Sequence, residues 1–228
     1  MHADGTHRQT MPIHDPTLNL GPGAWSPDGK QIAFEGWNDN PGRNGVYIGR
    51  VPDGTDLVRL TRNPAKADDI PMDFSPDGSR MVILRTGIDK TISDTGAPTG
   101  SLFVMNVDGT DLHRITPPEV DVATTARWSP NGKWIVFSGP WDELRGPIWA
   151  VRPDGTGLRK VFEDPKDGTA ITPTWSPDGH KIMFGLNPYG NTDEHESNKL
   201  SVINADGTGY EVVLDLHSGE REPEWIDR

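Results

Sequence analysis

The side chains of this chain with the chemical types for catalysis or ligation are its carboxylates, histidines and tryptophans, and their spacing narrows what they can do. Asp-Gly-Thr recurs in phase at Asp4, Asp53, Asp108, Asp154 and Asp206, with one further copy out of phase at Asp167, and Pro-Asp-Gly or Pro-Asn-Gly preceded by serine begins at Pro27, Pro76, Pro130 and Pro177. None of these extends into the string of alternating acids that converges several oxygens on one calcium ion, so they read as hairpin turns. The seven histidines, His2, His7, His14, His113, His180, His195 and His217, form no His-Glu-x-x-His pair. Asp193-Glu194-His195-Glu196 reads as a solvated loop with at most a weak divalent-cation site, and no other cofactor is expected. There is no Gly-x-Ser-x-Gly elbow, and with no cysteine there is neither a thiol nucleophile nor a thiolate metal site.

What must position these residues is a repeat. Ser-Pro-Asp-Gly at Ser26, Ser75 and Ser176, and Ser-Pro-Asn-Gly at Ser129, each follow an aromatic: Trp25, Phe74, Trp175 and Trp128. From each in-phase Asp-Gly-Thr to the next aromatic the separation is 21, 21, 20, 21 and 19 residues, ending at Trp225; from aromatic to the next Asp-Gly-Thr it is 28, 34, 26 and 31. Length variation is confined to one stretch per repeat, as for a surface loop on a fixed frame. Each repeat holds four short runs of apolar residues bounded by Asp-Gly or Asn-Gly, which supply the positive φ of tight hairpins. These strands a to d predict an all-β β-propeller whose blades bury both faces against their neighbours. The aromatic that ends each strand a is expected to pack between blades.

Composition limits the partners. The 228 residues carry 22 Lys+Arg against 34 Asp+Glu, a formal charge of -12, which disfavours a phosphate backbone as partner because such binding is driven by displacing counterions with basic residues. No apolar stretch reaches membrane-spanning length, so no membrane insertion is expected. The first residues, Met1 to Arg8, lack a hydrophobic signal core. As written the chain reads as soluble and cytoplasmic, or as periplasmic or secreted if a leader precedes Met1.

The string from Trp25 to Phe34, Trp-Ser-Pro-Asp-Gly-Lys-x-Ile-x-Phe, echoed three times and followed by a Val-x-x-Asp-Gly-Thr hairpin and a strand ending Leu-Thr, resembles the TolB-like β-propeller repeat family. The resemblance covers almost the whole chain. It implies that strand a lines a central channel, that strand d is outermost, and that the b-to-c and d-to-a loops emerge at one end. It also implies a protein- or peptide-binding scaffold, since the family's namesake engages envelope lipoproteins and toxins through its propeller. The enzymatic rival is a propeller-type polysaccharide lyase or hydrolase with metal at the channel mouth. The b-to-c loops at 36–45, 85–101, 138–147 and 185–199 contain only His195 toward such a cluster, and peptidases with this type of propeller carry catalysis on a separate domain.

Four repeats are complete, at 20–61, 69–116, 123–163 and 170–216. A strand d at Thr6–Met11 and a strand a at Glu222–Ile226 remain, which predict a partial split blade from the two termini lacking strands b and c, and a chain truncated at its start. Open blade edges invite self-association. The residue before each strand-a aromatic, Asp73, Arg127, Thr174 and Glu224, together with Asp69 and Asp142 nearby, forms the expected binding set at the channel mouth. Acid outnumbers base there, favouring basic partners.

Overall fold

The computed structural model describes residues 11–12, 15, 17–37, 40–64, 67–88, 100–122, 125–139, 146–166, 168–187 and 198–216. Their sixteen strands form four antiparallel sheets, each running a, b, c, d in chain order. The first blade is β1 (Asn19–Trp25), β2 (Gln31–Trp37), β3 (Gly45–Arg50) and β4 (Val58–Arg59). The second is β5 (Asp68–Phe74), β6 (Arg80–Thr86), β7 (Gly100–Asn106) and β8 (His113–Arg114). The third is β9 (Ala126–Trp128), β10 (Ile135–Ser138), β11 (Ile148–Val151) and β12 (Arg159–Phe162). The fourth is β13 (Thr169–Trp175), β14 (Lys181–Asn187), β15 (Asn198–Asn204) and β16 (Glu211–Leu216).

The a-to-b hairpin is closed by a serine. The hydroxyls of Ser26, Ser75, Ser129 and Ser176 donate to Asp28, Asp77, Asn131 and Asp178 at 2.6–2.9 Å and accept the amides of Gln31, Arg80, Trp134 and Lys181 at 2.9 Å. Each serine is buried, so both capacities of its hydroxyl are used where water is excluded. At the c-to-d turn, one oxygen of Asp53, Asp108, Asp154 and Asp206 accepts both the amide and the hydroxyl of the threonine two residues on. The turn carboxylates are held below the usual carboxylate range by these donors; Asp77 is drawn down to about 2, chiefly by the Ser75 hydroxyl and then by Ser79.

Each c-to-d turn also sits on strand d of the preceding blade. A Cβ on Gly109, at φ +84°, would lie 2.7 Å from the Leu60 carbonyl oxygen, and one on Gly207 3.0 Å from that of Val161. Gly54 meets Pro12 and Met11 in the same way. Met11 stands seven residues after Asp4, as Leu60 does after Asp53, so the end of the expected first strand d occupies a strand-d place. The rest of the expected split blade, Thr6 to Thr10 and Glu222 to Ile226, lies outside the described residues.

The core is a series of seams between blades. Along β6, Met81 and Ile83 join a cluster with Ala33, Val46 and Ile48 of the first blade, whereas Val82 and Leu84 join one with Ile135 and Phe137 of the third. Along β10, Val136 faces the fourth blade, packing with Ile182 and Phe184. Alternation of period two therefore feeds two different interfaces rather than a core and a solvent face. The strand-a aromatics pack as expected in three blades: Phe74, Trp128 and Trp175 are 3%, 5% and 7% exposed. Trp25 departs from that expectation at 58% exposed. The residues that bury its equivalents come from strands b and c of the preceding blade.

This contrast predicts that Trp128→Ala destabilises the fold by about 3–5 kcal/mol, while Trp25→Ala stays within about 1 kcal/mol. Urea unfolding of the two variants tests it; equal losses would mean that the seams are not where the stability lies.

Candidate functional site

Strands β1, β5, β9 and β13 contact one another in order and form the inner wall. The approach is close: a Cβ on Gly23 of β1 would lie 2.4 Å from Pro71 of β5, so this position excludes a side chain. Bulges between Pro71 and Asp73 and between Ile171 and Thr174 re-aim the residues that follow. Asp73 thereby reaches the next blade, where its Oδ2 accepts the Trp128 amide at 2.8 Å. Arg127 donates back to the Met72 carbonyl at 2.8 Å, and the Trp175 indole donates to the Arg127 carbonyl at 3.2 Å. The second, third and fourth blades are thus stitched together along the wall. Burial pushes the Asp73 carboxyl up to about 6, opposed by the Trp128 amide and Arg127.

The structure divides the expected binding set between two ends. Asp73, Arg127 and Thr174 precede the a-to-b turns, paired in register with Val82, Val136 and Met183. Asp69 pairs with Arg85 at the other end of β5, where the b-to-c loop begins. Four residues separate Asp69 from Asp73, about 13 Å along a strand. Asp142 and Glu224 lie outside the described residues.

At the loop-bearing end Asp69 is 1% exposed and takes Arg85 by a two-pronged ion pair, Nε to Oδ1 at 2.5 Å and Nη2 to Oδ2 at 2.8 Å. The guanidinium lies 4.9 Å from the Phe103 ring centre. Across the seam, Glu35 of β2 is half-buried and its carboxyl is pushed up, first by burial and then by the charge of Asp68. Glu35 was not in the expected set, although an acid in the apolar run Gln31–Trp37 of a strand b is the signal that could have found it. Further out, Arg43 pairs with Asp15 and donates to the Thr17 hydroxyl at 2.7 Å, tying the b-to-c segment of the first blade to the segment entering β1. Arg43 and Thr17 hold the Asp15 carboxyl down at about 2.

The opposite end carries a cleft of about 420 Å³ lined by Ser75, Pro76, Asp77, Arg80, Pro130, Asn131 and Gly132. Arg80 is stacked 5.0 Å from the Trp128 ring centre. Among the described residues no three His, Asp or Glu side chains converge as a metal site would require.

Four-stranded meanders wedged in succession around an inner wall define a β-propeller. The chain belongs to the TolB beta propeller domain family, whose match runs from residue 5 to residue 227. It is 31% identical over 142 residues to a protein TolB homolog of Chlorobium luteolum, covering 61% of this chain and 28% of that protein. The structure of a putative TolB from Agrobacterium tumefaciens superposes with TM-score 0.64 at 24% identity, over 84% of this chain and 64% of that one. An oligogalacturonate lyase in complex with manganese shares the fold at TM-score 0.57 and 14% identity, over 88% and 67%. This chain therefore spans less than a third of the first relative's length and under two thirds of the second's.

The inner wall yields a pH prediction. The folded state raises the Asp73 pKa to about 6 from 3.8, so it favours the protonated carboxyl. The stabilisation is full below about pH 4 and is lost as pH rises through about 6, amounting to about 3 kcal/mol. Asp73→Asn keeps an oxygen for the Trp128 amide without the charge. The stability difference between wild type and variant, followed by urea unfolding from about pH 4 to 7, should change in that direction; a difference that does not vary with pH contradicts the assignment.

Proposed function

We propose that the chain is a non-catalytic propeller scaffold that takes a protein or peptide partner at the end bearing the b-to-c and d-to-a loops. The observation that carries the reading is the arrangement at the first seam. Glu35 and Asp68 bring two carboxylates together across it, and the neighbouring Asp69 is already neutralised by Arg85. An acidic pair on this rim at the loop-bearing end suits basic side chains of a partner through complementary potential. The relation to TolB propellers is consistent with a protein partner.

The second reading is a metal-dependent lyase, favoured by the shared fold with the manganese-bound oligogalacturonate lyase. In that reading the acids of the rim serve the cation. Incubation with oligogalacturonate and manganese, monitored for unsaturated product, discriminates the two.

Photo-cross-linking tests the site. A cross-linking side chain placed at the exposed position of Asp68 is expected to capture the partner, and one at the exposed Asn131, at the opposite end, is not. Asp68→Lys should weaken capture about tenfold or more with an unchanged melting temperature. Capture from Asn131 alone, or manganese-dependent turnover, would sink the proposal.

A further inference from the structure

The a-to-b turns of neighbouring blades meet in pairs at the end opposite the b-to-c loops. A Cβ on Gly132 would stand 3.8 Å from Pro76, and Cβ atoms on Gly78 and Gly179 would stand 3.7 Å from Pro27 and Pro130. The junctions share this geometry but differ in the side chains they bring together. Five residues after the turn serine the repeats carry Gln31, Arg80, Trp134 and Lys181, and the turn acid or amide is Asp28, Asp77, Asn131 and Asp178. The junction of the second and third blades therefore sets an arginine beside an amide, where the other two set Gln31 and Trp134 beside carboxylates. There the cleft of about 420 Å³ opens.

The hydrogen-bonding capacity in this cleft is unspent. Arg85 donates to a carboxylate, and Arg127 and Arg159 donate to backbone carbonyls. Arg80 is half-buried over the Trp128 ring, 5.0 Å from its centre, and among the described residues its guanidinium makes no hydrogen bond or ion pair. A guanidinium held on an aromatic face keeps its fork of N–H donors for a planar acceptor. Asn131 accepts the Ser129 hydroxyl at 2.9 Å and the Lys133 amide at 3.0 Å on Oδ1. A backbone amide can only donate, which fixes the oxygen there and leaves Nδ2 without a partner among the described residues. In the other three turns that second atom is a carboxylate oxygen. Donors from two blades thus line one cleft. Asp77 adds the opposite sign: its Oδ1 takes the Ser75 hydroxyl and both donors of Ser79, which keep it ionised, and Arg80 acts on it through charge alone.

We propose that this cleft binds a small zwitterion, a free α-amino acid, whose carboxylate is taken by Arg80 and Asn131 and whose ammonium faces Asp77. A carboxylate matches the arginine fork and the amide donors. Asp77 opposes a phosphate or a lone carboxylate, whereas an ammonium on the neighbouring carbon turns that repulsion into attraction. Pro76 and Pro130 supply apolar walls for the side chain, and the volume falls within the range of small-molecule sites. The site lies at the opposite end from the acidic pair of the first seam and does not depend on it.

The probes are L-leucine, isocaproate, which lacks its ammonium, and isoamylamine, which lacks its carboxylate. The variants use residue types the repeat already carries at these places: Arg80→Gln as at Gln31, Asn131→Asp as at the other three turns, and Asp77→Asn as at Asn131. Each keeps the hydrogen bonds of the turn, so melting temperatures should stay within a few degrees of wild type. Titration followed by the NMR signals of the Trp128 indole and the Asn131 side-chain amide should saturate with leucine. Affinity should fall about tenfold or more for either deleted probe, and for leucine in Arg80→Gln and Asn131→Asp. Asp77→Asn should weaken leucine and tighten isocaproate, a reversal that loss of structure does not produce. The absence of a saturable shift in wild type, equal affinity for leucine and isocaproate, unchanged binding in Arg80→Gln, or shifts confined to the loop-bearing end would overturn the proposal.

Discussion

Burial of one blade's strand-a aromatic against strands b and c of the blade before it is the interaction on which the rest of the molecule depends. A single four-stranded sheet of this size has no interior of its own. Each becomes stable only when its two faces are covered, and alternate residues of β6 and β10 show the division of labour: Val82 and Leu84 serve one neighbour, Met81 and Ile83 the other. Stability in such an array is a sum of units and nearest-neighbour interfaces. The contrast appears at Trp25, which is exposed although its counterparts Phe74, Trp128 and Trp175 are buried.

The turns convert that packing into a fixed register. A buried serine hydroxyl uses its donor on the turn acid and its acceptor capacity on the incoming strand, so the a-to-b hairpin cannot slip without leaving a buried polar group unpaired. The glycine of each c-to-d turn lies against the previous strand d, where a side chain at Gly109 or Gly207 would collide with backbone. Turn chemistry thus sets both the hairpin within a blade and the contact between blades. At the other end, Glu35 and Asp68 come together across the first seam.

Much of this architecture was legible because it is written by repetition. The Ser-Pro-Asp-Gly and Asp-Gly-Thr strings mark turns whose side chains bond locally, and local geometry survives transfer from sequence to structure. The expected binding set was less legible. Asp73 and Asp69 are four residues apart on one strand, and sequence proximity concealed that they face opposite ends. Asp73 is spent on the Trp128 amide, a contact created by a bulge that no pattern announces. Glu35 and Asp68 come from different blades, so their meeting is a tertiary fact.

The seam account is tested most directly by a double-mutant cycle on Trp128 and Leu84, which share the cluster between the second and third blades. Trp128→Ala and Leu84→Ala, alone and combined, are compared by urea unfolding, with Phe184→Ala in the next seam as the outside partner for Trp128. The account predicts a coupling of about 1–2 kcal/mol for Trp128 with Leu84 and additivity within about 0.5 kcal/mol for Trp128 with Phe184. Additivity within the shared seam would contradict it.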